Sequence, residues 1–260
     1  MRILFFGDIV GRVGREAIKH NIEKLIKKYQ IDFVIANGEN VTHGKGLIEK
    51  HYDELINDGI DVLTLGNHYL GKNRILNFID DADSLVRPLN LIKNIGGQGS
   101  IVKECDGIKI RVTNLLGTAF MKEEVVAPYL ALKQLLDEID GEDSIHIVDF
   151  HAEATGEKMC IGYTFDGLVS AVVGTHTHVQ TNDAKILEKG TAFISDIGMC
   201  GAANGVLGFE RNSVINKTIF GGTERFEIGG DDQEMINAIV LDIDNDTKRC
   251  KEIFTVKLLS

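Results

Sequence analysis

The stretch "RILFFGDIVGRVGREAIKHNIEKLIKKYQIDFVIANGEN", residues 2–40, has the pattern of a strand, a helix and a second strand. Its first apolar run ends in Gly7-Asp8, and its second ends in "NGEN". Between the two runs, apolar residues at 18, 22, 25 and 26 have helical spacing. Strands that alternate with helices are typical of parallel β–α units, so this stretch predicts an α/β fold.

The same alternation continues downstream. Residues 47–59, "LIEKHYDELINDG", predict a helix ended by Gly59, and "DVLTLGNH" at 61–68 predicts a third strand. A hairpin is expected around Asp106-Gly107 within "GSIVKECDGIKIRVTNLLG". A further helix is expected at 128–140. Further strands are expected at 144–151, 168–178, 189–199, 235–244 and 248–259. Because no linker, internal repeat or low-complexity tract interrupts this order, we expect one domain over residues 1–260.

Composition narrows the setting in which the protein works. The 260-residue chain has a formal net charge of -11, which repels polyanions and argues against broad nucleic-acid binding. The first apolar run is too short for a signal peptide and no run reaches membrane-spanning length, so a cytoplasmic protein without membrane attachment is expected. Cysteines 105, 160, 200 and 250 form no C-x-x-C pair, which disfavours a zinc ribbon or a disulfide framework. A homo-oligomer is compatible with these features.

Polar side chains follow five of the expected strands at the point where each strand ends. In an open α/β sheet these ends lie along one edge, where ligands bind. We therefore expect one site formed by Asp8, Glu39, Asn40, Asn67, His68, His151, His176 and His178. On a continuing strand the side-chain period of two would make His176 and His178 point the same way, with Thr175 and Thr177 on the other face.

The donor types in this set predict a metal site. Carboxylate, amide oxygen and imidazole without thiolate suit first-row ions such as Mn, Fe or Zn. Seven donors exceed the needs of one tetrahedral ion and suit two ions that share a bridging carboxylate: Asp8, Glu39, Asn40, Asn67, His151, His176 and His178. Two divalent ions would outweigh the charges of the two carboxylates and attract a phosphate compound.

These residues carry a resemblance to a known family. The series "GDIVG", "GEN", "GNH", a later lone His and "GTHTH" resembles the calcineurin-like metallophosphoesterases. Val10 stands where their general pattern has a metal-binding His, Glu39-Asn40 replaces a bridging Asp, and Tyr69 replaces an acid after "GNH". With "NGENVTHGKGL", "DFHAEATGEK" and "ISDIGMCG", nearly the whole chain is similar to the YmdB-type bacterial metallophosphoesterases.

The resemblance implies a four-layer α/β/β/α sandwich and two divalent or mixed-valence ions per chain, of Fe or Mn, with Zn as an alternative. It implies a phosphodiesterase for 2′,3′- or 3′,5′-cyclic nucleotides that uses a metal-activated hydroxide, and a role in controlling bacterial gene expression. One ion would bind Asp8, Glu39 and His178. The other would bind a larger set, in which Glu39 bridges: Glu39, Asn40, Asn67, His151 and His176. His68 would be the general acid.

Two other functions stay open at this point. The same two-ion site can serve a phosphomonoesterase or nucleotidase. The chain could also be a regulatory scaffold whose hydrolysis is incidental.

Overall fold

In the described part of the chain, strands pair into two β-sheets with helices on both outer faces. The computed structural model describes residues 1–93, 95–223, 225–230 and 233–260. The first sheet contains β1 (Arg2–Ile9), β2 (Phe33–Asn37), β3 (Val62–Thr64), β4 (Leu85–Val86), β11 (Met199–Ala202), β12 (Glu234–Ile243) and β13 (Cys250–Leu259). The second contains β5 (Ser100–Cys105), β6 (Ile108–Leu116), β7 (Ile145–His151), β8 (Ala171–Thr175), β9 (Lys185–Ile186) and β10 (Ala192–Ile194).

The strand orders are β13-β12-β11-β1-β2-β3-β4 and β5-β6-β7-β8-β10-β9. Parallel pairing joins β1 to β2, β2 to β3, β6 to β7 and β7 to β8, as expected for β–α units. The hairpin around Asp106-Gly107 is also confirmed, and the two C-terminal strands β12 and β13 pair antiparallel. The helices are α1 (Gly11–Tyr29), α2 (Glu49–Asn57), α3 (Pro128–Glu138), α4 (Thr155–Thr164), α5 (Arg211–Ile219) and a 3-10 helix (Asn73–Asn77).

Successive side chains of the central strands point to opposite faces of each sheet, and so they pack into different hydrophobic cores. In β1, Leu4 and Phe6 belong to the core under α1 and α2, whereas Ile3 and Phe5 belong to the core between the sheets. In β7, Val148 faces the third core, which contains side chains of α3 and α4. Burying such a large apolar side chain contributes about 1.5–3 kcal/mol. Three stacked cores between two sheets and two helical layers confirm the expected four-layer α/β/β/α sandwich.

Three sequence-based expectations differ from the structure. The strand expected over 168–178 ends at Thr175, so the histidine pair lies in a loop. The strand expected over 189–199 is two strands, β10 and β11, in different sheets. The donor-bearing strand ends also belong to two sheets, β1 to β3 in one and β7 and β8 in the other, so the donors meet across the gap between sheets and not along a single edge.

No helix in the ranges described above combines the length and the apolar character that crossing a bilayer requires.

Candidate metal centre

Four donor groups converge at the ends of the two sheets. The Nε2 atom of His151, the last residue of β7, lies 3.0 Å from Asn67 Oδ1, 3.0 Å from His176 Nδ1 and 3.2 Å from Glu39 Oε1. One imidazole N–H can serve only one of these three neighbours, so hydrogen bonding alone does not account for the cluster. Two donors bound side by side to one ion at about 2.1 Å lie about 3.0 Å apart, so this spacing fits a first-row metal ion.

Two further oxygens near this cluster make no hydrogen bond within the part of the chain that the structure describes. Asp8 Oδ1 and Asn40 Oδ1 are buried and have no hydrogen-bond partner among the described residues. Asp8 Oδ2 accepts the backbone N–H of His176 at 3.1 Å, and Asn40 Nδ2 donates to the carbonyl of Gly44 at 3.0 Å. Those two hydrogen bonds hold both side chains in place, but neither Oδ1 atom accepts a hydrogen bond. An unsatisfied buried polar atom destabilises the folded protein by about 1–3 kcal/mol. A bound cation would satisfy both oxygens.

The electrostatics of the cluster favour a cation. Burial raises the pKa of Asp8 well above its usual range. Burial also pushes the pKa of Glu39 upward, but His151 and His68 outweigh it and hold that pKa well below its usual range. For His151, burial alone would lower the pKa, yet Glu39, Asp8 and Asp149 raise it to about 9. A proton on His151 therefore supplies the positive charge that these carboxylates require, and a metal ion would displace it.

The orientation of the His151 ring is set by a buried relay that joins the sheets. His151 Nδ1 lies 2.9 Å from Thr175 Oγ1, and that hydroxyl donates to Asp149 Oδ1 at 2.6 Å. Because the hydroxyl has one proton and gives it to Asp149, it accepts the Nδ1–H of His151. Nε2 is thereby the ring nitrogen that faces the donor cluster. Asp149 Oδ2 also accepts from Asn37 at 3.1 Å and from Thr64 at 2.5 Å.

His176 and His178 are placed by a loop. Both have positive φ, 103° and 67°, so the strand period that we used to align them does not apply. The backbone N–H of Thr177, between them, donates to Asp196 Oδ2 at 2.9 Å. The buried ammonium of Lys158 binds the same carboxylate oxygen at 2.9 Å and the Thr175 carbonyl at 2.8 Å. Both histidines nevertheless line one cavity.

Each of these two rings has an additional partner. His176 Nε2 lies 3.1 Å from Glu153 Oε2, while its Nδ1 faces His151. His178 Nδ1 lies 3.1 Å from the carbonyl of Leu207, an acceptor that makes this nitrogen the donor and directs Nε2 elsewhere. Burial lowers the pKa of His176 to about 3 and also lowers the pKa of His178. Both rings are therefore neutral near pH 7, as metal binding requires.

His68 lies beside the donor cluster at the wall of the cavity. Its backbone N–H donates to Glu39 Oε2 at 2.8 Å, and its Nδ1 lies 3.3 Å from Glu39 Oε1 in a geometry that makes no hydrogen bond. The side chain is 27% exposed, so the ring is accessible from the cavity.

The glycine of the "GNH" motif permits the close approach of these groups. A Cβ on Gly66 would lie 2.4 Å from Glu39 Oε2 and 2.5 Å from His151 Nε2. Any side chain there would displace the two donors, so the motif needs glycine for space.

The cavity has a volume of about 200 Å³ and two chemically different sides. One side presents polar groups: Glu39, Asn40, His68, His176 and His178. The other side is apolar: Val206, Leu207, Phe209, Val214 and Phe226. The apolar residues come from 206–226, a region for which the sequence carries no functional signal.

Sequence reasoning also missed the residues behind the donors. Asp149 could have been found, because it interrupts the apolar run "IHIVDFH" two positions before His151, on the same face of β7. Thr175 was assigned to the opposite face, yet it contacts His151. Lys158 and Asp196 are far apart in sequence, and their pairing is visible only in the folded chain.

This four-layer fold, with acidic, amide and histidine donors between its sheets, is the one that the resemblance implied, and relatives named phosphodiesterase or phosphatase make the chain a hydrolase of the metallophosphoesterase type. The family model described as YmdB-like protein matches residues 4–256. The chain belongs to the YmdB-like family.

Three relatives each cover 97% or more of the chain. A 2′,3′-cyclic-nucleotide 2′-phosphodiesterase of Bacillus subtilis (strain 168) is 44% identical over 253 residues, which are 97% of this chain and 95% of that protein. The crystal structure of a phosphatase from Mycoplasma pneumoniae has a TM-score of 0.93 at 40% identity and covers 100% of this chain and 93% of its own. A hypothetical protein from Thermus thermophilus has a TM-score of 0.92 at 34% identity, covering 100% of this chain and 99% of its own.

Proposed function

We propose that this protein is a metal-dependent phosphodiesterase that hydrolyses cyclic nucleotides. The observation that supports this proposal most directly is that donor atoms of Glu39, Asn67 and His176 lie within 3.2 Å of His151 Nε2, beside a cavity of about 200 Å³. The name of the Bacillus subtilis relative supports 2′,3′-cyclic nucleotides as the substrate class.

The proposed ligand set distributes seven side chains over two ions, of Fe or Mn, with Zn as an alternative. Glu39 would bridge the ions, with Asp8 and His178 on one of them and the remaining donors on the other: Asn40, Asn67, His151 and His176. Such a pair supplies an acidified water and positive charge at the phosphoryl oxygens. The unpartnered Oδ1 atoms of Asp8 and Asn40 support their inclusion.

His68 is proposed as the general acid. Its ring lies beside Glu39 at the wall of the cavity and is partly exposed, so it could donate a proton to the leaving alkoxide of a bound ester. A His68→Gln variant should lose far more activity on alkyl esters than on p-nitrophenyl esters, because a good leaving group needs no proton. Equal losses on both ester classes would assign His68 to positioning instead.

The test of the proposed function pairs metal analysis with a substrate panel. Protein purified without added metal is analysed for bound ions and assayed, with Mn²⁺ or Fe²⁺, on 2′,3′- and 3′,5′-cyclic nucleotides, bis-p-nitrophenyl phosphate and p-nitrophenyl phosphate. We expect two ions per chain and a preference for cyclic diesters. Preference for the monoester would favour a phosphatase, and inactivity with fewer than one ion per chain would contradict the proposal.

The regulatory alternative needs a separate experiment. Glu39→Gln removes a charge that the site uses without removing surface residues, since Glu39 is buried. If this inactive variant restored the phenotype of cells that lack the gene, a scaffold role would replace the catalytic one. A single domain over residues 1–260, a cytoplasmic location and a homo-oligomer stay predictions from the sequence.

A further inference from the structure

The apolar side of the cavity lies next to two of the proposed metal ligands. The carbonyl of Leu207 accepts from His178 Nδ1 at 3.1 Å, which ties one end of the apolar side to a donor. At the other end, the ring of Phe209 packs on Gly44, where an added Cβ would lie 2.9 Å from Phe209 Cε1. The carbonyl of Gly44 in turn accepts a hydrogen bond from Asn40, a proposed metal ligand. A phosphate at the donors therefore places its organic substituent next to this apolar side.

The side chains of Phe226 and Leu207 are partly exposed on this side of the cavity. The rings of Phe209 and Phe226 have centroids 5.7 Å apart at an interplanar angle of 48°. Phe226 is 45% exposed and Leu207 is 45% exposed, although both line a cavity beside a polar site. Lys217 Nζ lies over one face of the Phe226 ring, 4.8 Å from its centroid, and places a positive charge there. These surfaces are suited to a flat, partly apolar group.

We propose that the side chains of Leu207, Phe209 and Phe226 bind the nucleobase of the substrate. This inference rests on the proposed function and deepens it by assigning the non-reacting part of the ester. These side chains contain no hydrogen-bond donor or acceptor, so they contact the face of a base and do not read its edge. Every base has such a face, and the enzyme should therefore accept the four common bases with kcat/KM within about tenfold of one another.

The test compares a nucleotide with a base-free ester of the same reacting group. With Mn²⁺-loaded protein, kcat/KM is measured for adenosine 2′,3′-cyclic phosphate and for glycerol 1,2-cyclic phosphate. In Phe226→Ala and in Leu207→Ala, the ratio of the two values should fall about tenfold, the typical worth of one lost base contact. The Leu207 substitution keeps the carbonyl that binds His178, and metal content checks that the donors are intact.

Phe220, the residue that directly follows α5, offers a matched control. Phe220 is 75% exposed and is not among the side chains that line the cavity, so Phe220→Ala should leave the ratio unchanged. A ratio unaffected in both cavity variants, or lowered as much in Phe220→Ala, would overturn the nucleobase assignment.

A binding measurement separates this inference from the proposed function. Calorimetry with adenosine 3′-phosphate and glycerol phosphate needs no turnover. Tighter binding of the nucleotide that is lost in Phe226→Ala would support the nucleobase site even if cyclic esters were not hydrolysed. Equal affinity for both ligands in the unsubstituted protein would refute it even if phosphodiesterase activity were established.

Discussion

Replacing Thr175 by Val should weaken metal binding although Thr175 is not itself a proposed ligand. Its hydroxyl accepts from His151 Nδ1 at 2.9 Å and donates to Asp149 Oδ1 at 2.6 Å. Valine has nearly the same shape but no hydroxyl, so the buried N–H of His151 loses its acceptor and Asp149 loses one of its donors. Each orphaned buried group costs about 1–3 kcal/mol, so the two together should destabilise the protein by about 2–6 kcal/mol.

The effect on metal affinity follows from the same contacts. Without the hydroxyl, His151 Nδ1 loses the one hydrogen bond that it makes within the described residues, and Nε2 is held less firmly toward Glu39, Asn67 and His176. Loss of such a partner typically weakens metal binding about 10- to 100-fold. Competition of Mn²⁺ or Zn²⁺ against a chromogenic chelator measures the affinity, and urea unfolding in excess chelator measures the stability of the metal-free protein.

Two controls make this prediction sharp. Thr175→Ser keeps the hydroxyl and should retain metal affinity within about threefold. Thr177→Val makes the same substitution two residues later, at a residue whose backbone N–H binds Asp196 and would be kept, and should bind metal normally. If Thr175→Val kept the metal affinity of the unsubstituted protein, or if Thr175→Ser lost as much affinity as Thr175→Val, the Thr175 hydroxyl would not be what orients His151.

Three further outcomes follow from other contacts. Gly66→Ala should release bound metal, because its Cβ would lie within 2.5 Å of two donors, whereas Gly156→Ala, with open space around its Cβ, should leave metal content and stability nearly unchanged. Burial lowers the pKa of His146 to about 3, so the folded protein binds fewer protons than the unfolded chain between about pH 3 and 6.5 and loses stability as the pH falls through that window. Between about pH 6.5 and 5, the free energy of unfolding should therefore fall by about 2 kcal/mol less in His146→Gln than in the unsubstituted protein, as measured by urea unfolding in chelator. Lys158→Met leaves Asp196 buried without its cation and should cost about 3–5 kcal/mol in the same assay.

Each of these has a result that would contradict it. Full metal content in Gly66→Ala would show that the chain shifts to accommodate a methyl group. An unchanged pH slope in His146→Gln would mean that this ring does not stay neutral in the folded protein. Wild-type stability in Lys158→Met would show that Asp196 needs no buried partner.

Local patterns were sufficient to predict much of the fold. Apolar spacing identified α1, whose buried residues include Ile18, Ile22 and Leu25, and turn residues identified the β5–β6 hairpin. Helix α4 and helix α5 were missed, because α4 contains two glycines and α5 has few apolar residues to set a period. The assignment of β10 and β11 to different sheets was also missed, because strand pairing depends on contacts between distant residues.

The sequence by itself determined the α/β class and the chemical kind of the site, because strand periodicity and donor identity are properties of short segments. Asp8, Glu39, Asn67 and the histidines could be selected from the strand ends alone. Only the tertiary structure decided how they meet. The gap between two packed sheets brings His151 to Glu39, a buried threonine and Asp149 fix its ring, and residues 206–226 supply the apolar side of the cavity. These arrangements depend on packing between segments far apart in the chain, and no local pattern encodes them.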